Sequence, residues 1–527
     1  MLRALCFCLC LCLPLPAIAQ EEGIPTPAGQ VDAMFQLAQR VQGGSAARAV
    51  QQIALRLAAR AEGAEALALE RRDLEERQAQ VAGEPGLDEA TRAIRLDELE
   101  TALFVNAERL ARSFPRWREI TAPAPVTLAE ARGLLAEGEA LVLLHQGEDA
   151  LFLWLVAPDR VIWHRVGIPR ADAAGLVAAF REGMGLGEGL RGAAALDDDP
   201  APVSLPPFNR QLAANLYILL FGAFAAEMGD YSHLRLVADD AWIGLPFAAL
   251  LTSYDDVTAP EGHETLRHAS WLARSHALTL MPSVVSLRAL SAAPPAPSLP
   301  TLLAVGDPVF SGAASAMEVS RAGGGVDVSA LAPLPGTRRE VTAIARQFDG
   351  RAEVLLGADA SETAIRTADL ASRDVIVFAT HGLIAGELQG LAEPALALTP
   401  PAAPGPADDG LLTAGEIAGL TLSADWVVLS ACNTAAGDGA GAEGLSGLAR
   451  AFFAAGAQSL LVSHWPVRDD AAARLTSGAF AEMAADPALP KAEALRRSML
   501  HLMADESDPT LAHPRAWAPF FVVGGGA

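Results

Sequence analysis

The chain has 527 residues, 51% hydrophobic and 19% charged, with 63 acidic side chains against 39 basic ones and a formal net charge of −24 at pH 7. That length holds two or three domains with ample buried cores, and a pI near 4.8 argues against electrostatic binding to nucleic acid or anionic lipid. Mean hydropathy is +0.26, yet no apolar run beyond the N-terminal segment approaches the ~20 residues of a membrane span.

The chain begins with an address. Arg3 precedes an apolar stretch from Ala4 to Leu15, and Ala17-Ile18-Ala19 supplies a small-x-small end. Residues 1–19 therefore read as a secretory signal peptide, which predicts export to the periplasm or beyond and no stable span after cleavage. Cys6, Cys8, Cys10 and Cys12 leave with it, and of the 5 cysteines only Cys432 remains. A lone thiol offers no intramolecular disulfide and risks oxidation in an exported chain, so it is either inertly buried or chemically employed.

Residues 20–124 read as a helical hairpin. Met34, Leu37 and Val41, then Val50, Ile53 and Leu57, and later Leu96, Leu99, Leu103 and Leu110 recur at helical spacing, with Glu84-Pro85-Gly86 as the break. The signature of a helical repeat of about 34 residues is absent. Within 125–291 the spacing predicts strands at 140–144, 150–156 and 161–163, a helix at 170–183, a longer helix at 208–228 and a strand at 234–237. Asp197-Asp198-Asp199 lacks the spaced oxygen ligands of a calcium loop and reads as a solvated turn. The proline-rich stretch 292–300 is the linker.

Residues 301–527 alternate between strand and helix. Strands are expected at 302–305, 354–356, 375–379, 426–430 and 459–463, and helices at 338–348, 361–370 and 444–455. Unbroken apolar strands separated by helices imply an α/β fold with a parallel-rich sheet covered on both faces.

In such sheets the reactive groups collect at the carboxyl ends of the strands. His381 and Cys432 each directly follow a predicted strand, so they converge on one edge. An imidazole that takes the thiol proton makes a nucleophile and can later protonate a leaving amine. The backbone N–H groups at Gly382 and Cys432 are available to an oxyanion, and Gly382 permits close approach. Each residue alone is better explained by core packing, because cysteine is a small hydrophobe and the chain has 10 histidines. Their pairing favours catalysis.

The segments around these residues, Val428-Leu429-Ser430-Ala431-Cys432-Asn433-Thr434 and Phe378-Ala379-Thr380-His381-Gly382, resemble the CHAT domain, a caspase- and separase-like group of cysteine peptidases. Pro333-Leu334-Pro335-Gly336-Thr337 with Glu340-Val341, and Asp409-Gly410-Leu411-Leu412-Thr413 with Glu416-Ile417, are similar to two further segments of that family. Gly444-Leu445, Leu448 to Phe452, Gly456-Ala457, Trp465-Pro466-Val467 and the closing His513-Pro514, Trp517 and Phe520 also fit. The likeness runs from about Pro125 to the C-terminus. It implies two caspase-like halves, 125–291 degenerate (its Leu245-Pro246-Phe247-Ala248-Ala249-Leu250 resembles a recurring segment) and 301–527 catalytic. It further implies Cys432 as nucleophile, His381 as general acid/base and Gly382 N–H in the oxyanion hole. Many members carry repeats before the domain, whereas this chain has only the expected hairpin.

Gly439-Ala440-Gly441-Ala442-Glu443-Gly444 spells G-x-G-x-x-G, but it lies too far past the strand for a dinucleotide turn, and no ribose-binding carboxylate follows the next strand. No zinc-type cluster occurs, and no cofactor or metal is expected. Asp438 and Glu443 are candidates to face a basic substrate side chain, and His464, also at a strand end, is a candidate pocket wall. The expected function is an exported cysteine endopeptidase acting on a protein or peptide substrate, with the N-terminal helices available to an activating protein. The alternative is a catalytically silent secreted scaffold that retains the fold.

Overall fold

The structure is a computed structural model. It describes residues 28–41, scattered positions between 67 and 81, 88–113, 124–186, 207–291, 299–310, 328, 331–431 apart from 386, 389–390, 392, 403–404 and 406–407, and 447–525. The first half supplies β1 (Glu139–Gln146), β2 (Leu151–Val156), β3 (Val161–Val166), β4 (His233–Ala238) and β5 (Ala277–Leu280). The second supplies β6 (Leu302–Pro308), β7 (Ala352–Gly357), β8 (Val375–Ala379), β9 (Gly382–Leu383), β10 (Ala395–Ala397), β11 (Leu411–Thr413), β12 (Trp426–Ser430), β13 (Ser459–Ser463) and β14 (Phe520–Gly524).

Both halves share a single 11-stranded sheet in the order β3-β2-β1-β4-β5-β14-β13-β12-β8-β6-β7. The expected antiparallel turn at 146–149 is present, closed by Gly147 N–H on the Ala150 carbonyl at 2.8 Å. From β1 through β4 to β5, and from β7 through β13, neighbours run parallel. The seam is β14, antiparallel to β13 and parallel to β5. The parallel runs explain the unbroken apolar strands, because helices cover both faces.

In the first half Ala140, Val142 and Leu144 face one core and Leu141 and Leu143 another, as the period-2 pleat requires. The first of these cores includes α4 (Arg170–Gly183) and α5 (Arg210–Phe221), the second α1 (Ala28–Val41) and α3 (Leu128–Leu134). In the second half Phe452 of α9 (Gly447–Ala455) packs on Phe378, while Phe480 of α10 (Asp469–Ala485) packs on Trp426, with ring centroids 5.4 and 4.9 Å apart. Phe378 pairs with Leu429, three residues from Trp426, so the two helices cover opposite faces. Helix α11 (Lys491–Ala504) packs along α10. Beyond the carboxyl edge of β8, β9, β10 and β11 form a second, 3-stranded sheet.

One expected helix is interrupted. The helix expected at 208–228 breaks at Gly222, where a short 3-10 turn (Gly222–Phe224) separates α5 from a last turn at Ala225–Met228. Helix α1 packs into the first half's core. Phe35 meets Trp154 edge to face at 6.0 Å, and Gln39 and Val126 exchange two hydrogen bonds of 2.8 Å. Helix α2 (Glu89–Ser113) lies beside the segment near residue 70, joined by Arg109–Glu70 at 2.8 Å. The expected break at Glu84-Pro85-Gly86 lies outside the described residues.

Candidate active site

Strands β8 and β12 are parallel neighbours, and their register sets Ala379 beside Ser430. Thr380-His381 and Ala431 therefore leave the sheet together at its carboxyl edge. Cys432, Asp438 and Glu443, with the rest of the glycine-rich loop, lie outside the described residues. Ala431 is the last described position before the cysteine, and the Ser463 hydroxyl at the end of β13 donates to its carbonyl at 2.8 Å.

His381 is 0% exposed. Its Nε2 donates to the Ala332 carbonyl at 2.8 Å, a bond that requires the proton on Nε2 and leaves the lone pair on Nδ1. Nδ1 is buried with no hydrogen-bond partner among the described residues. Burial pushes the imidazolium below its ordinary pKa, against the opposing influence of the Ala332 carbonyl and Glu387. The ring leans on Phe310, with centroids 5.5 Å apart, and burial keeps it neutral at pH 7.

The small sheet holds this loop. Ala397 N–H donates to the His381 carbonyl at 2.9 Å, and the Thr380 hydroxyl bonds the Ala397 carbonyl. Because His381 and Ala397 form a hydrogen-bonded pair, the antiparallel alternation makes Gly382 and Leu396 a non-hydrogen-bonded one. The Gly382 N–H therefore points away from β10.

The family-like segments now have physical roles. In 409–413, the buried Glu362 carboxylate accepts from the N–H groups of Asp409, Gly410 and Leu411 at 2.9, 2.8 and 3.2 Å. Gly410 turns there at φ +88. Thr413 and Glu416 form a capping box, and Arg366 joins Glu362 and Glu416 at 2.7 and 2.6 Å. In 333–341, Pro335 opens α6 (Pro335–Ala345), and Thr337 Oγ1 bridges the Leu334 carbonyl and the Asp307 N–H at 2.7 and 2.8 Å. Gly336 is required by Asp469, whose carboxylate would lie 2.7 Å from an added Cβ.

Glu340 reaches the site itself. It lines, with His381, Thr380, Ser430, Ala431 and Asp469, an open cavity of about 380 Å³. Its carboxyl is buried and accepts the Thr476 hydroxyl at 2.7 Å and the Ser430 side chain. Burial raises its pKa to about 7, with the neighbouring Asp469 charge adding to the rise. Sequence reasoning passed over Glu340 and Asp469 as site residues. Glu340 stands within a family-like segment, and Asp469 lies two residues after another, Trp465-Pro466-Val467.

His464 lies elsewhere. Its ring stacks on Phe521 at 4.1 Å and faces a separate, mainly apolar cavity of about 550 Å³ between the halves. Phe520 is a wall of both cavities. Arg181 pins this junction by donating to the His464 and Gly244 carbonyls at 3.1 and 3.0 Å. Among the described residues no group of three or more His, Cys, Asp or Glu is placed to hold a metal.

The family model of the CHAT domain matches residues 210–525. Tetratricopeptide repeat protein 28 of Mus musculus is 39% identical over 114 residues, which are 22% of this chain and 4% of that protein. Among solved structures, the Saccharomyces cerevisiae separase–securin complex is similar at TM-score 0.41 and 11% identity, over 87% of this chain and 37% of that one. The Arg-specific cysteine proteinase gingipain R is similar at TM-score 0.34 and 11% identity, over 68% and 74% of the two chains. The chain thus spans well under two thirds of the length of the mouse protein and of separase.

Proposed function

Because this chain belongs to the CHAT domain family, a caspase-like protease family, we propose that it is an exported cysteine endopeptidase that cuts a protein or peptide substrate through Cys432 and His381. The observation that carries this reading is the His381 tautomer. With Nε2–H committed to Ala332, the buried Nδ1 lone pair remains at the carboxyl edge, one strand away from Ala431.

In the proposed reaction Nδ1 takes the Cys432 thiol proton as the sulfur bonds the substrate carbonyl carbon. The Gly382 N–H, free of β10, supplies a donor to the resulting oxyanion. Collapse breaks the C–N bond, and the proton on Nδ1 passes to the departing amine. Water then gives a proton to Nδ1 and its hydroxyl to the thioacyl carbon, after which the C–S bond breaks and the thiolate is reprotonated. The chemistry needs no cofactor. The signal-like residues 1–19 support export, and the N-terminal helices offer a surface to an activating protein.

The test is digestion of an unbiased peptide library by the mature protein beside Cys432→Ala, read by mass spectrometry. Cleavage by the first alone is expected. Absence of cleavage, together with a Cys432 thiol protected from iodoacetamide, would replace the peptidase with the scaffold reading.

A further inference from the structure

Strand β6 leaves the sheet through a bend. Its register on β7 shifts between Gly306 and Pro308. Asp307, between them, turns at φ +51, in the left-handed region that a non-glycine residue enters only at a cost. Threonine hydroxyls hold the bend on both sides. Thr337 Oγ1, near the start of α6, accepts the Asp307 N–H at 2.8 Å, and Thr399 Oγ1, two residues past β10, accepts the Val309 N–H at 2.8 Å. The Asp307 carboxylate adds an ion pair to Arg338 at 2.6 Å.

The bend delivers Phe310. Gly306 pairs with Ala379 across β6 and β8, so the two chains leave the sheet side by side. Phe310 then rests on the His381 ring, with centroids 5.5 Å apart and planes tilted by 43°. It is 3% exposed and shares the core of the small sheet with Leu383, Ala395 and Leu411. That core accounts for an apolar residue at 310. It does not account for a strained and doubly clasped approach that sets a flat ring against the imidazole.

We propose that Phe310 is a positioning residue for His381, fixing the plane of the imidazole while the Ala332 carbonyl fixes its direction. The inference rests on the peptidase reading and adds a residue that serves its general base. The Nε2–H bond to Ala332 is a single tether. A ring held at one atom can still swing about the line of that bond, and each swing carries Nδ1 off its bearing. Nδ1 has no partner among the described residues, so no hydrogen bond there holds that side of the ring. An aromatic face packed against the imidazole limits the swing, since closer approach meets repulsion and retreat forfeits dispersion contact. A base aimed in advance spares the reaction the cost of orienting it. The ionisable groups that face this ring are Glu387, after β9, and Glu340 and Asp469, which share its cavity.

The test places Phe310→Leu, Phe310→Tyr and Thr399→Val beside the mature protein. Leucine fills the site without a flat face, and tyrosine keeps one. Valine at 399 frees the Val309 N–H and leaves both rings unaltered. The first readout is kcat and KM on the peptide that the library shows to be cut most readily. The second is the 15N spectrum of histidine-labelled protein, with the His381 signals identified by their loss in His381→Gln. It reports the tautomer and titration of that one ring without any turnover.

Phe310→Leu is expected to lose about tenfold in kcat with KM near its starting value, and Thr399→Val about threefold. Phe310→Tyr should recover most of the loss. The Nε2–H form should dominate in the mature protein. Phe310→Leu should mix the two neutral tautomers and move the titration up toward about 6.5. Should Phe310→Leu fail to fold, Thr399→Val carries both readouts.

Cleavage with kcat unchanged in Phe310→Leu and Thr399→Val overturns the positioning role and leaves the peptidase standing. A fall in kcat with an unchanged spectrum assigns Phe310 to the core alone and overturns the role as well. No cleavage, with the tautomers mixed in Phe310→Leu and not in Phe310→Tyr, supports the positioning of the ring and removes the peptidase. No cleavage and no spectral change overturn both.

Discussion

The Ser463 hydroxyl donates to the Ala431 carbonyl at 2.8 Å, tying the end of β13 to the residue just before the proposed nucleophile. Both residues are buried, and the bond crosses between parallel neighbours where the backbone ladder has already ended. Ser463→Ala should cost about 1 kcal/mol in urea denaturation. The Ala431 carbonyl loses that anchor, so kcat should fall while KM stays close to its starting value. An unchanged kcat would show that Ala431 is held by other means.

His381 gives a pH prediction. Its folded pKa lies below 6.5, chiefly through burial, so Nδ1 stays a base into mildly acidic solution. Alkylation of Cys432 by iodoacetamide should therefore persist below pH 6.5. In His381→Ala the rise in rate should move up toward the ordinary thiol range near 8.5. Coincident profiles for the two proteins would separate the histidine from the thiol.

Glu340 gives a stability prediction of definite sign. Its pKa is raised from 4.5 to about 7 on folding, so its neutral form favours the native state below pH 4.5. That advantage disappears as pH rises through 7, where the buried carboxyl must ionise. Glu340→Gln stays neutral throughout, so its stability relative to the unmodified protein should climb between pH 4.5 and 7. The climb should approach about 3 kcal/mol, measured as the difference between paired urea titrations. A flat difference would mean that Glu340 is already charged at pH 5.

Gly456 ends α9 at φ +120, and a Cβ there would sit 2.4 Å from the Leu422 carbonyl oxygen. Leu422 is itself tied to the helix end, since its N–H donates to the Ala455 carbonyl at 2.9 Å. Neither backbone can yield cheaply. Gly456→Ala should destabilise the chain by about 3 kcal/mol or more, seen as a lower urea midpoint or loss of soluble protein.

The legible parts of the fold were those that local pattern alone determines. β8, β12 and β13 match their expected bounds to the residue, because each is a short apolar run between polar or small residues. Helix α4 does as well. The break after Phe221 was harder, since Gly222 inside an apolar run looks tolerable until the helix must turn toward Phe224 and Met228. The docking of α1 onto Trp154 is a long-range choice that periodicity does not encode. Helices α10 and α11 and the short strands β5 and β14 were likewise missed.

At the site, His381 and Gly382 could be named because a strand followed by Thr-His-Gly is a local signal. Glu340 and Asp469 could not be joined in advance, because only the packing of α6 on α10 brings them to one cavity. His464 was read as a wall of that cavity for the same reason in reverse. Strand-end position is visible in sequence, but the cavity that the ring lines once it stacks on Phe521 is not.

The placement of β14 has a consequence for how the molecule is made. Residues 520–524 form the sixth of the 11 strands, so the middle of the sheet is synthesised after all ten of its companions. Until it arrives, β5 and β13 each present a bare edge, and the two sets of strands have no ladder between them. A chain that stops before Phe520 should therefore keep two unpaired edges in mid-molecule, where sheets add foreign strands most readily.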